Sequence, residues 1–187
     1  MYYIQSQIIM ESNFGWLEII AGVIGGALLY FYKLNSDAKG SNNEPAEDFS
    51  RLSPILQPMK LRVDAKGDGH FGSSRTGHVH EGADFLCQKG QTVFAPMSGL
   101  IVRQGVAYAN DSRYNVVVLR NPNGYEIKMM YCTTNRVGQQ VKRGEPIAIC
   151  QAIAEKYGAP MQNHVHLEIR KDGQLLNPTD CIDCENV

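Results

Sequence analysis

The segment Arg75-Thr-Gly-His78-Val-His80-Glu-Gly-Ala-Asp84 carries the strongest signal in this chain when it is taken together with Asn163-His164-Val-His166-Leu-Glu168. The chain has 187 residues and five histidines, and four of the histidines fall in these two segments. Two imidazole nitrogens and one carboxylate oxygen that converge from separate segments would suit zinc, with one coordination position open for water or substrate. We therefore expect the fold to bring the two segments together.

The second segment has the alternation of a strand. His164 and His166 lie two residues apart in an apolar, β-prone run, so their rings should point to the same face. Glu168 continues that face and could orient one of the rings. His164 could then lie beside the metal as a base or as a transition-state donor. Either segment alone is more often a surface loop or a polar cluster, but the two together favour a metal site.

Composition limits the class of protein. Eighteen basic and 19 acidic residues nearly cancel, so nothing indicates a nucleic-acid partner. Eighteen glycines and eight prolines, with valine and isoleucine spread through the second half, favour short strands and turns. Five cysteines form no regular framework, so they allow disulfides without showing them.

Short apolar segments separated by turn signals predict an antiparallel β domain without βαβ units. The strongest hairpin signal is Asn123-Gly124 between two such segments. The predicted strands are residues 91–95, 100–104, 115–120, 125–131, 146–150 and 165–170, with one short helix at 153–157.

The domain organisation follows from polarity. A folded β domain is predicted for residues 54–180, a C-terminal tail for 181–187, a polar, turn-rich linker for 34–53 and an N-terminal segment for 1–13. Residues 14–33 are predicted to form a single transmembrane helix. From Phe14 to Tyr32 the chain is apolar except for Glu18, and at 1.5 Å per residue this stretch reaches roughly 28 Å.

Five motifs follow one another along the second part of the chain. They are Arg75 with His80-Glu-Gly-Ala-Asp84, Gly90-Gln-Thr-Val-Phe-Ala95-Pro-Met-Ser-Gly99, Val141-Lys-Arg-Gly144-Glu-Pro-Ile147, His164-Val-His166-Leu-Glu168 and Asn177-Pro178. In their order and spacing, residues 54–178 resemble the lysostaphin/LytM-type zinc metallopeptidases.

The resemblance implies an antiparallel β-sheet groove with Zn²⁺ at its floor and endopeptidase action on peptidoglycan peptides. Carried over by position, His80, Asp84 and His166 would be the zinc ligands, and His164 would be a catalytic histidine. A membrane-anchored cell-wall hydrolase of bacterial or phage origin is the first functional hypothesis.

One position departs from the family pattern. These enzymes usually have a second catalytic histidine on the strand after the Asn-Gly turn. An ungapped count from Gly124 reaches Tyr131 at this position and a two-residue shift reaches Thr133, and neither is a histidine. A tyrosine hydroxyl can donate a hydrogen bond to an oxyanion but is a poor base at neutral pH. Cys87 and the segments around Tyr131 and His164 look closest to the leukocyte cell-derived chemotaxin branch. A zinc-binding module without hydrolytic activity is therefore the alternative.

Two further expectations concern the membrane. Gly22 and Gly26 form a small-xxx-small pair that could let two helices associate. Lys33 and Lys39 follow the apolar stretch from Phe14 to Tyr32 and no basic residue precedes it, so the positive-inside rule would place the domain in the cytoplasm. The expectation of a domain that faces the periplasm, the cell exterior or the outside of a virion membrane conflicts with these lysines, and both orientations stay open.

Overall fold

The computed structural model describes residues 47–49 and 51–184. Within these ranges no helix combines the length and the apolar character that a membrane crossing needs. The transmembrane helix predicted at residues 14–33, its Gly22 and Gly26 pair and the segment 1–13 all lie outside the described residues. They stay predictions.

The described residues form β-strands and two short helices. The strands are β1 Val63–Asp64, β2 Gly67–Asp68, β3 Ser74–Arg75, β4 His78–Val79, β5 Ala83–Leu86, β6 Thr92–Phe94, β7 Gly99–Tyr108, β8 Asp111–Arg120, β9 Tyr125–Met130, β10 Cys132–Thr133, β11 Gln140–Val141, β12 Pro146–Cys150, β13 His164–Lys171 and β14 Gln174–Leu176, and the helices are α1 Ala154–Tyr157 and α2 Pro178–Cys181.

Two antiparallel sheets make up most of the domain. The larger has the strand order β11-β7-β8-β9-β13-β14, and β5 pairs with β13 beside this path; the smaller has the order β10-β12-β6. Both contribute to one cluster of buried residues, for example Val117 and Leu167 from the large sheet and Val93 from the small one. Each fully buried aliphatic side chain of this kind contributes about 1.5–3 kcal/mol. The prediction of a mainly antiparallel β domain is confirmed.

Several predicted elements are present with shifted ends. The hairpin around Asn123-Gly124 pairs Leu119 with Ile127 and Arg120 with Glu126. The helix expected at 153–157 is α1. Strands β7 and β8 are longer than predicted, at ten residues each. They pair with each other as far as Tyr108 and Asp111, whereas β9 pairs with β8 only from Val116 onward, so the hairpin tip projects beyond β9.

Strand β9 is one residue shorter than predicted, because Tyr131 has a φ of 65°. This left-handed conformation costs a non-glycine residue about 1–2 kcal/mol. It is stabilised here by a hydrogen bond of 2.8 Å from the Tyr131 amide to the Asn115 carbonyl. Because Tyr131 leaves the strand conformation, the direction of its side chain no longer follows the in-and-out alternation of β9. Such outliers cluster at functional sites.

Both ends of the described chain pack on the domain. Glu47 forms an ion pair of 2.7 Å with Arg143, and the Phe49 ring stacks on Tyr125 with centroids 5.9 Å apart. Leu52 is buried and bridges to Ile182, which is also buried. Residues from the predicted linker and from the predicted tail therefore contribute to the packed domain.

Strand β13 positions the site. It lies between β9 and β5, and the register places His166 opposite Asp84 on one side and opposite Met130 on the other. Strand β5, which the strand prediction did not include, therefore carries Asp84 directly to His166. The two histidine-rich segments lie side by side.

Candidate metal centre

Three donor atoms from the two segments converge on one point. Nε2 of His80 lies 2.9 Å from Nδ1 of His166 and 3.1 Å from Oδ1 of Asp84. Nδ1 of His166 lies 2.9 Å from the same Asp84 oxygen. This His-Asp-His set is a group that could hold a metal ion, and His80 and Asp84 are buried.

The donors fit zinc in type and spacing. Tetrahedral zinc with bonds of about 2.0–2.2 Å separates its ligand atoms by about 3.3 Å. The three separations in this centre, at 2.9, 2.9 and 3.1 Å, are slightly shorter than that. Two imidazole nitrogens and one carboxylate oxygen form a three-ligand set of the kind that leaves a fourth position open. The arrangement suits a catalytic metal centre.

In His80 and His166, the ring nitrogen that points away from the donor cluster has its own hydrogen-bond partner. Nδ1 of His80 lies 2.8 Å from the His70 carbonyl, so this nitrogen donates and the Nε2 lone pair faces the centre. Nε2 of His166 lies 3.4 Å from Oε1 of Glu168, which leaves Nδ1 to face the centre. Lys128 in turn donates to Glu168 at 2.6 Å. Partners of this kind set the tautomer and orientation of metal-binding histidines.

Glu168 stays ionised although it is buried. Burial by itself would raise its pKa, but hydrogen bonds from His166 and Lys128 outweigh burial and lower the pKa of Glu168 to about 2. A charged carboxylate behind His166 makes that imidazole a stronger donor to a metal ion.

Asp84 is held in its charged form from both sides. Burial would raise its pKa, but the ring nitrogens of His166 and His80 beside Oδ1 hold the pKa of Asp84 far below its usual range. Its second oxygen, Oδ2, accepts a hydrogen bond of 3.0 Å from Arg62. The guanidinium of Arg62 also pairs with Asp64 at 2.7 Å. The carboxylate is thus oriented with Oδ1 toward the centre.

Gly82 makes room for the ring of His166. A Cβ at this position would lie 2.8 Å from Cε1 and Nε2 of His166 and 2.4 Å from the Leu167 carbonyl oxygen. Real Cβ atoms essentially never approach this closely, and both neighbours belong to strand β13. The glycine between His80 and Asp84 is therefore required by the close approach of β13.

We expect Gly82→Ala to displace His166 or the β5–β13 pairing, with a loss of about 1–3 kcal/mol in the free energy of unfolding. Zinc affinity should fall by at least tenfold, measured by competition with a chelator. Gly105→Ala is the matched control, because its new Cβ would meet only the flexible end of Arg103 at 2.9 Å. Equal stability and zinc affinity in the two variants would contradict this account of Gly82.

His164 lies beside the metal centre. Its Nδ1 donates to the Gln162 carbonyl at 2.7 Å, and its Nε2 lies 3.9 Å from Oδ1 of Asp84. Burial lowers the pKa of His164 below its ordinary value, so the ring is neutral at neutral pH. The ring can therefore present an unprotonated Nε2 toward the centre, as a general base requires.

Tyr131 lies against His164. The two ring centroids are 5.2 Å apart and the rings are perpendicular. Burial raises the pKa of Tyr131 to about 12, so the side chain is a neutral phenol at physiological pH. Its hydroxyl lies 2.8 Å from that of Tyr108. Tyr131 is suited to donate a hydrogen bond and not to accept a proton as a base.

The structure brings together all five candidate site residues, which are His80, Asp84, His166, His164 and Tyr131. His78 stays outside, exposed, with its ring against the Thr76 carbonyl. Sequence reasoning missed Arg62, Lys128 and Tyr108. No motif marks these residues. Arg62 precedes β1, Lys128 lies on β9 and Tyr108 ends β7, so only the tertiary structure brings them to the site.

Comparison with known proteins agrees with this geometry. The family model of peptidase family M23 matches residues 78–178, which include every candidate site residue. The chain belongs to peptidase family M23. Leukocyte cell-derived chemotaxin-2 of Bos taurus is 32% identical to the M23 domain over 116 residues, which are 62% of this chain and 74% of that protein. The predicted family and its chemotaxin-like branch are confirmed.

Solved structures share the fold of this M23 domain. Csd3 of Helicobacter pylori has a TM-score of 0.53 at 18% identity, over 72% of this chain and 34% of that one. The antimicrobial peptidase lysostaphin from Staphylococcus simulans has a TM-score of 0.52 at 23% identity, over 72% of this chain and 54% of that one. The chain thus spans about a third of the first protein and about half of the second, and both likenesses show the fold alone.

Proposed function

We propose that this M23 protein is a zinc endopeptidase that hydrolyses peptide bonds in the peptides of peptidoglycan. The observation that carries the proposal is the convergence of His80, Asp84 and His166 next to the Nε2 of His164. Membership of peptidase family M23 supports it. The proposal gives each residue of the site one role.

His80, Asp84 and His166 would hold the zinc, which, when bound, lowers the pKa of a water molecule and polarises the peptide carbonyl. His164 takes the proton of the attacking water on Nε2 and later gives it to the amine that leaves.

The Tyr131 hydroxyl donates a hydrogen bond to the carbonyl oxygen as that oxygen becomes negatively charged. Losing one such donor typically slows a hydrolase by about 10²–10³. Because the rings of Tyr131 and His164 are in contact, one substrate carbon can lie near both groups. Arg62 and Glu168 keep Asp84 and His166 oriented throughout.

The test is the release of soluble muropeptides from purified peptidoglycan by the full chain. We expect release with one equivalent of zinc, loss of release with a chelator and recovery when zinc is restored. Chemical analysis should show new free amino groups, because each cleaved peptide bond yields one. If zinc-loaded protein releases nothing at high loading, the hydrolase proposal fails.

A second candidate function is binding without hydrolysis. Two observations favour it: a tyrosine occupies the position where the resemblance led us to expect a second histidine, and chemotaxin-2 is a relative at 32% identity. The same assay separates the two. Zinc-dependent co-sedimentation with peptidoglycan, without any release of muropeptides, would favour the binding module.

A further inference from the structure

Three tyrosine hydroxyls form a chain from Tyr131, whose ring packs on His164, to the surface. The Tyr131 and Tyr108 oxygens are 2.8 Å apart, and the Tyr108 and Tyr157 oxygens are 3.0 Å apart. Tyr131 follows β9, Tyr108 lies at the end of β7, and Tyr157 ends α1. The outer member, Tyr157, is 43% exposed. The chain therefore joins three separate elements and ends in water.

Each phenol has a single proton, so the direction of the chain decides what Tyr131 can do. If Tyr131 gives its proton to Tyr108, it has none left for a substrate. If Tyr108 gives its proton to Tyr131, the Tyr131 proton is free to point into the site. The direction of the Tyr131–Tyr108 hydrogen bond therefore decides whether Tyr131 can donate to a substrate.

Two features favour donation toward the site. The Tyr157 hydroxyl donates to Tyr108, so the proton of Tyr108 is satisfied by continuing the chain to Tyr131. The ammonium of Lys156 lies 4.5 Å from the centroid of the Tyr108 ring. A cation over a phenol ring draws electron density from it, which makes the hydroxyl a better donor and a poorer acceptor.

The surrounding contacts hold Tyr108 in this position. Its ring stacks on Tyr131 at an interplanar angle of 17° and meets the edge of Tyr114, with centroids 6.1 and 6.2 Å apart. Lys156 is itself held by an ion pair of 2.8 Å with Asp111 at the start of β8. The hairpin of β7 and β8 and the helix α1 are therefore joined to each other beside Tyr131.

We propose that Tyr108 is a positioning residue: by donating to Tyr131, it turns the Tyr131 proton toward a tetrahedral oxyanion at the metal centre. Three aligned hydroxyls polarise one another, which strengthens the donor at the inner end. The inference deepens the proposed function and rests on it, since the oxyanion there is that of peptide hydrolysis. The ligand class is any small tetrahedral oxyanion, and inorganic phosphate is a member that can be used without a substrate.

The experiment measures the affinity of the zinc-loaded full chain for inorganic phosphate by calorimetry. Loss of one net hydrogen bond corresponds to about a fivefold rise in Kd. We expect this rise in Tyr131→Phe and again in Tyr108→Phe. The double variant should bind no more weakly than Tyr131→Phe alone, because both changes remove the same bond.

Tyr114→Phe is the matched control. It removes a hydroxyl from the same aromatic cluster, but that hydroxyl bonds to the Ala152 carbonyl at 3.4 Å and not to the chain. Its phosphate affinity should equal that of the unchanged protein. Zinc content and thermal unfolding are measured on every variant, so that a folding defect is recognised.

Three outcomes would overturn the inference: unchanged affinity in Tyr108→Phe, unchanged affinity in Tyr131→Phe, or losses that add in the double variant. These outcomes are independent of the test of hydrolysis. If the expected pattern appears but peptidoglycan stays intact, the hydrogen-bond chain stands and the hydrolase proposal fails. If peptidoglycan is cleaved but the expected pattern of phosphate affinities is absent, the hydrolase proposal stands and the inference about Tyr108 fails.

Discussion

Asp84→Ala is expected to remove bound zinc and to destabilise the fold at the same time. The lost Oδ1 lies within 3.1 Å of both histidine donors. The lost Oδ2 leaves the buried Arg62 with Asp64 as its remaining acidic partner. Removing one partner of a buried ion pair costs about 3–5 kcal/mol. Because Asp64 remains, we expect about 3 kcal/mol, measured by chemical denaturation of the zinc-free protein.

Asp64→Ala separates the two effects. Asp64 pairs with the same guanidinium at 2.7 Å but contributes no atom to the donor set. This variant should lose stability and still bind one zinc per chain, whereas Asp84→Ala should retain none after dialysis against a weak chelator. Full zinc occupancy in Asp84→Ala would show that Asp84 is not a ligand.

His164→Ala should reduce the rate of muropeptide release by about 10³ while zinc content is unchanged. General base catalysis by a positioned side chain contributes about 10²–10⁴. No second histidine replaces His164, because the neighbouring group is the phenol of Tyr131, whose pKa burial raises to about 12. The measurements are the initial rate of release and zinc by atomic emission.

The control is His78→Ala, two residues before the candidate ligand His80 but exposed and outside the donor set. Its rate should match that of the unchanged protein. Two results would contradict the role given to His164. A normal rate in His164→Ala would place the base elsewhere, and loss of zinc from that variant would make His164 a ligand.

The donor set was accessible from the sequence because its signals are local. The two-residue spacing of His164 and His166 on a β-prone run places both rings on one face, and β13 has that geometry. His80 and Asp84 were identified through residue type and spacing, and the family resemblance added their roles. The spacing could not show that position 82 must be glycine because the His166 ring packs too closely against it for a Cβ.

The environment of Tyr131 could not be predicted from the sequence. The count from Gly124 identifies Tyr131, but the sequence predicts that the strand continues through this residue. In the structure the strand ends before it, and Tyr131 has a φ of 65°. The partner Tyr108 lies 23 residues away in the chain. It reaches Tyr131 because β7 and β8 extend further than their apolar segments indicated.

The sequence by itself thus determined the class of fold, the family and the candidate donor residues, because alternation, turn residues and motif spacing are properties of neighbouring residues. Only the tertiary structure decided the register of β5 on β13, the partners Arg62 and Lys128 behind the ligands, and the hydroxyl chain that ends at Tyr131. The physical reason is that these contacts join residues 22 to 82 positions apart. Their geometry depends on how whole strands pair and how far a hairpin projects, and no local pattern encodes that.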